Sequence, residues 1–144
     1  MPLGPIGNNS YLTEVDVRIW LRDNDPDANV LLDDFEFSSE EIRSALTHTA
    51  DYWNETVLSG GHYDYDKFPW RFHLLQGAAA NLLFMAAHRY RRNSLNYSAG
   101  GVTVDDQNKY QQYDAAGARL WDEYKKWVSD MQKSINLENA WGLV

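Results

Sequence analysis

The chain has 144 residues, with 13 Lys and Arg against 21 Asp and Glu for a net charge of −8, and it contains no cysteine. That length predicts a single domain with one core. The acidic balance argues against an outer surface that grips nucleic acid, which needs clustered cations. The lack of cysteine excludes disulfides, thiolate zinc sites and cysteine nucleophiles, and fits a cytoplasmic chain.

Residues 1–11 read as an extended N-terminal arm, because Pro2, Gly4, Pro5 and Gly7 prevent a helix. No basic stretch leads into an apolar run there, so a secretory leader is not expected. Residues 13–22 follow as a short helix, with Thr13 as cap and Asp16 three residues on as a loose capping box. Leu12, Val15 and Ile19 share its inward face, and Glu14 and Arg18 pair on the solvent side. Pro26 ends the helix before an acidic loop, 23–34, that carries Val30, Leu31 and Leu32.

The sharpest local signal is Phe37-Ser38 with Glu41 three residues on and Ile42 next, a capping box with a hydrophobic staple. It predicts a helix from Ser38 to about Leu58, burying Ile42, Ala45, Leu46, Ala50, Trp53 and Val57 and stopping at Gly60-Gly61. Residues 62–67 alternate tyrosine with polar residues, as a linker or strand fragment would. Pro69 then opens a helix to about Asn93. Residues 72–87 of that helix carry no charge and are apolar in every direction, so it must be covered on all sides. With Gln76 and Asn81 inside so short a run, a membrane span is not expected. Arg89, Arg91 and Arg92 fall in its last turn, where cations complement the helix dipole.

After a small-residue loop at 96–101, a long helix is predicted over 105–135. Tyr110, Tyr113, Gly117, Leu120, Tyr124, Trp127 and Met131 recur at spacings 3, 4, 3, 4, 3, 4, a heptad seam. Trp121 and Val128 add a second stripe, so this helix is expected to touch two neighbours. Residues 136–144 form an apolar tail. The fold class is thus all-α: a bundle of about four helices over 12–135 within a single domain, with an N-terminal arm and a C-terminal tail.

Chemical motifs are weak. Asp23, Asp25, Asp27 and Asn29 alternate like the start of a calcium loop, but Ala28 stands where glycine is needed and Asp34 where glutamate is needed. His62, Asp64 and Asp66 lack a fourth ligand. His73 and His88 lie fifteen residues apart and cannot meet on one helix, and His48 is alone. No serine sits in a nucleophile elbow, and Gly100-Gly101 is followed by Val102-Thr103-Val104 rather than a phosphate-loop Lys-Ser or Lys-Thr. Arg89, Arg91 and Arg92 could touch nucleic acid or an acidic partner, but fit a solvated helix end better. The expectation is a non-enzyme with no catalytic, metal or cofactor site.

The order of elements, together with TEVDVRIWLRD at 13–23, DDFEFS at 33–38, FPWR at 68–71, LQGAAA at 75–80 and LNYSAGG at 95–101, resembles the head–tail connector proteins of tailed bacteriophages, also called adaptor or head-completion proteins. The resemblance covers most of the chain. It implies an α-helical virion protein of the neck, assembled in the host cytoplasm as a homo-oligomeric ring, usually twelvefold, beneath the portal. Its partners would be the portal protein, the tail or next neck protein, and further copies of itself, with DNA passing through the channel without sequence-specific binding. By region, Leu137, Trp141, Leu143 and Val144 would dock on the portal. Asp33, Asp34, Phe35, Tyr97, Val102 and Val104 would make ring or tail contacts, and Gly77, Gly117, Leu120, Trp121 and Tyr124 would pack subunits together. The rival readings are another neck or tail-completion protein, or a monomeric helical ligand-binding domain with an aromatic pocket of Trp53, Trp70, Trp121 and Trp127.

Overall fold

The fold is taken from a computed structural model that describes residues 11–21, 37–98 and 105–140, with side chains omitted at 93–98 and 105–109. Among these residues four helices occur: α1 (Glu14–Leu21), α2 (Ser39–Thr56), α3 (Arg71–Ser98) and α4 (Asp105–Ala140). The all-α bundle expected from the sequence is what forms.

Helix α2 begins as its sequence dictates. The Glu41 N–H donates to Ser38 Oγ at 3.1 Å and the Ser38 N–H donates to Glu41 Oε1 at 3.0 Å. Such reciprocal capping contributes about 1 kcal/mol. Its inward face buries Ile42, Ala45, Leu46, Thr49, Ala50 and Trp53. The two glycines after it act differently. Gly61 adopts φ +92°, which other residues avoid. Gly60 lets the chain pass close to Val57, Trp53 and Ile135.

Residues 62–67 are a linker and not a strand, with one 3-10 turn at Tyr65–Lys67. Asn54 fixes it from α2: its Nδ2 donates to Tyr63 O and its Oδ1 accepts the Tyr63 N–H, both at 2.8 Å. Pro69 lies two residues ahead of α3 rather than in its first turn, and the helix runs through 96–98, where a loop was predicted.

Helices α3 and α4 pair antiparallel. Tyr90 stacks on Tyr113, Gln76 donates to Glu123, and His73 stacks on Trp127, so positions advance on one helix as they recede on the other. Gly117 brings α4 against α3: a Cβ there would lie 3.1 Å from the Ala80 carbonyl oxygen. Gly77 lies where three helices cross, with its Cα facing Thr49 of α2 and Tyr124 of α4. The two-neighbour expectation for α4 also holds, because Trp121 and Tyr124 both contact Tyr52 of α2.

Several of the proposed subunit-packing residues therefore have partners within one chain. Gly77, Gly117 and Tyr124 are buried at helix crossings, while Leu120 and Trp121 are half-buried on α4. Small residues at 77–80 let α2 and α4 approach α3 closely enough to cover it: Leu74, Ala78, Ala79, Ala80, Leu82, Ala86 and Ala87 are buried. The cover fails at one place, Phe72, which is 59% exposed.

The predicted tail also needs correction. Helix α4 does not stop at Ile135 but continues through Leu137 to Ala140. Residues 136–140 are all solvent-exposed. The inward packing ends where the seam ends, and the helix outlasts it.

Candidate functional site

The sequence placed Val15 and Ile19 inward on α1 and the Glu14–Arg18 pair outward. The structure reverses that. Val17 is fully buried and Arg18 is 8% exposed, whereas Val15, Ile19 and Trp20 are 61%, 54% and 48% exposed. Polar ties set this rotation. Arg18 Nη1 donates to the Phe37 carbonyl at 2.8 Å, and Arg18 Nη2 pairs with Glu14 at 2.8 Å. Ser39 Oγ donates to the same Glu14 carboxylate at 2.6 Å. On the next turn, Asp16 caps Thr13 and pairs with Arg71 of α3 at 2.7 Å. The Ser39 hydroxyl and Arg18 hold the Glu14 carboxyl below its ordinary range. Burial works against the Asp16 carboxylate, but the Thr13 and Arg71 bonds outweigh it and keep its pKa low as well.

With α1 fixed in this way, its apolar face and the start of α3 form an open groove of about 420 Å³, lined by Leu12, Asp16, Ile19, Trp20, Arg71, Phe72 and Leu75. Apolar side chains form its floor, and the Asp16–Arg71 pair forms its rim. Such a surface suits contact with another protein segment. The sequence contained the residues but not the orientation, since nothing in it points Arg18 at a carbonyl nineteen positions away.

The other sequence candidates resolve as follows. Asp64 and Asp66 join Asp51, Thr47, Ala50, Tyr63 and Tyr65 around a depression of about 300 Å³, away from the groove. Among the described residues no group of three or more His, Asp or Glu is arranged to hold a metal ion. Arg89 pairs with Glu41 at 2.8 Å and lies over the Phe37 ring, and Arg91 lies over Tyr110, so both have structural partners. His48 stacks on Trp121. His73 lies flat on Trp127, 4.0 Å between centroids, with its buried Nδ1 lacking a hydrogen-bond partner. Burial lowers its pKa.

The aromatic residues expected to line a ligand pocket instead fill the core. Trp53 has no exposed surface and packs against Trp70 at 4.6 Å, Trp127 at 5.2 Å and Phe68 at 6.0 Å. Trp121 stands apart, against Tyr52 and Tyr124. The four tryptophan rings thus pack on one another and on neighbouring rings, with Trp53 enclosed and Trp70, Trp121 and Trp127 half-buried.

Of the expected contact residues, Leu137 is on the exposed end of α4, 58% exposed. Tyr97 is on the last turn of α3, its side chain outside the described set. Asp33, Asp34, Phe35, Val102, Val104, Trp141, Leu143 and Val144 all lie outside the described residues, as does the 23–34 acidic loop. Comparison with protein-family models, curated proteins and solved structures gives no match.

Proposed function

We propose that this chain is a structural protein of the neck of a tailed-bacteriophage particle, a head–tail connector that acts by docking rather than by catalysis. In this reading, copies form a ring, twelvefold as the resemblance implies, between the portal and the tail or next neck protein, and extend the channel through which DNA passes. The observation that carries it is the α1/α3 groove: an acidic chain that should repel its own copies holds a neutral, apolar face outward with specific polar ties. Such a face serves association. The helical bundle and the order of its elements agree with the resemblance.

Because Leu137 belongs to α4, portal docking in this reading falls to Trp141, Leu143 and Val144. Deleting residues 141–144 should leave the helical content unchanged and abolish attachment to the portal of the same phage. The test is electron microscopy of the chain mixed with that portal. A ring on the lower face of the portal supports the reading, and its symmetry gives the subunit number. A chain that neither binds portals nor filled heads overturns it, and a truncated chain that attaches normally overturns the role of the tail.

A further inference from the structure

Seven large apolar side chains are exposed among the described residues, and six of them are Val15, Ile19, Trp20 and Phe72 on one face and Leu58 and Leu137 elsewhere. Ile19, Trp20 and Phe72 line the α1/α3 groove, and Val15 lies one helical turn from Ile19. The other two belong to one end of the bundle. There Gln132 Nε2 donates to the Thr56 carbonyl at 3.0 Å and Ile135 packs at Gly60, bringing α4 beside the turn after α2. Beyond Ile135, residues 136–140 remain helical and solvent-exposed. A short helical end gains little from propensity alone. This one presents a single large apolar side chain, Leu137, followed by an acid, Glu138.

Groove and helix end are complementary. The groove supplies an apolar floor with the Asp16–Arg71 pair at its rim, where Arg71 stays half-exposed at the start of α3 and the helix dipole is positive. The helix end supplies an apolar anchor with a carboxylate beside it. An amphipathic helix seated in an apolar groove is a common recognition mode. We propose that residues 136–140 of α4, anchored by Leu137, occupy the α1/α3 groove of a second copy of this chain, with Glu138 facing Arg71. Two different surfaces meet, so the contact is heterologous and runs head to tail, which generates a ring when its rotation closes. Ring closure rests on the connector reading, but the contact itself does not.

The exposed parts of Ile19, Trp20 and Phe72 present about 300 Å² of apolar surface. A stable pair needs roughly 800 Å² on each partner, so one contact is weak and closure of many is what holds. A covalent trap suits such a contact, and the natural absence of cysteine makes one clean. Two differently tagged full-length variants, Val15→Cys and Asn139→Cys, place single thiols at exposed positions that border the groove and the helix end without removing either anchor. They are mixed at high concentration and treated with a short bismaleimide, with His88→Cys as a remote control. The 15–139 heterodimer should exceed every other pairing severalfold, and Ile19→Asp in the groove-bearing copy should abolish it while circular dichroism stays unchanged. Self-association in sedimentation without a preferred 15–139 cross-link overturns this contact and leaves the ring reading standing. A chain that stays monomeric and uncross-linked throughout overturns the contact, while the connector reading stands or falls on attachment to portals and filled heads.

Discussion

Gly77 gives the sharpest quantitative test of the packing. The methyl of an alanine at 77 would land on Thr49 Cγ2 and stand 3.2 Å from Tyr124 Cγ. Thr49 cannot turn aside, because its hydroxyl donates to the Ala45 carbonyl at 2.7 Å and accepts from Asn81 Nδ2 at 3.1 Å. Overpacking of this kind costs about 1–3 kcal/mol, while replacing glycine inside a helix returns about 1 kcal/mol. Gly77→Ala should therefore lower stability by about 1 kcal/mol net, or about 4 °C in Tm. In a Thr49→Ser background the obstructing methyl is gone while the hydroxyl remains, and the same Gly77→Ala change should become neutral or slightly stabilising. The double-mutant cycle, read by urea unfolding, should give a coupling of about 1–2 kcal/mol. Equal effects of Gly77→Ala in the two backgrounds would refute the three-helix crossing as described.

Further outcomes follow from individual bonds. Tyr124→Phe removes a hydroxyl that donates to the Thr49 carbonyl at 2.6 Å, and should cost about 1 kcal/mol in urea unfolding. Burial raises the Tyr124 phenol far above its ordinary range, so no phenolate absorbance should appear from it on titration to pH 11 while the fold persists. Arg18→Ala should cost about 2 kcal/mol, chiefly through the buried bond to the Phe37 carbonyl and little through the half-exposed Glu14. The His73 pKa is lowered in the folded state, so its contribution is complete above the ordinary value of 6.5 and declines as the pH falls below that. His73→Phe should flatten the stability profile in that window, and an unchanged profile would show that another group titrates there.

How much could be read from the residues depended on whether neighbours in sequence were also neighbours in space. The Ser38–Glu41 cap and the α4 seam are local patterns and form as read, whereas α2 stops at Thr56 with Val57 as its cap, ahead of the glycines expected to end it. The helix ends that were missed have physical causes. Periodicity reports burial, and burial does stop near Ile135, but backbone hydrogen bonding carries α4 on to Ala140. At α1 the apolar count misled, because it assumes that the larger apolar face is covered. The rotation of α1 was decided instead by Arg18 reaching Phe37 and by Asp16 reaching Arg71, contacts that span 19 and 55 positions and leave no periodic trace. The groove was invisible for the same reason. Trp53, Trp70 and Trp127 were recognisable as a cluster but not as a closed one, since composition does not say whether rings meet face to edge or leave a gap between them.

The attachment of α1 has a thermodynamic consequence of its own. Leu12 and Val17 are buried and Leu21 packs partly against the core, and the rest of the hold on this helix comes from charged and hydrogen-bonded ties. We expect α1 to open below the global unfolding free energy, with its amide hydrogens exchanging ahead of those in α2 and α3. Salt weakens its exposed ties and acid protonates its carboxylates, so ionic strength and pH set the fraction of molecules in which it is docked. When α1 lifts, the groove loses Leu12, Ile19 and Trp20 together while Phe72 and Leu75 remain on α3. An occupant of the groove would then meet a surface set by a local equilibrium, with an apparent affinity that scales with the docked population.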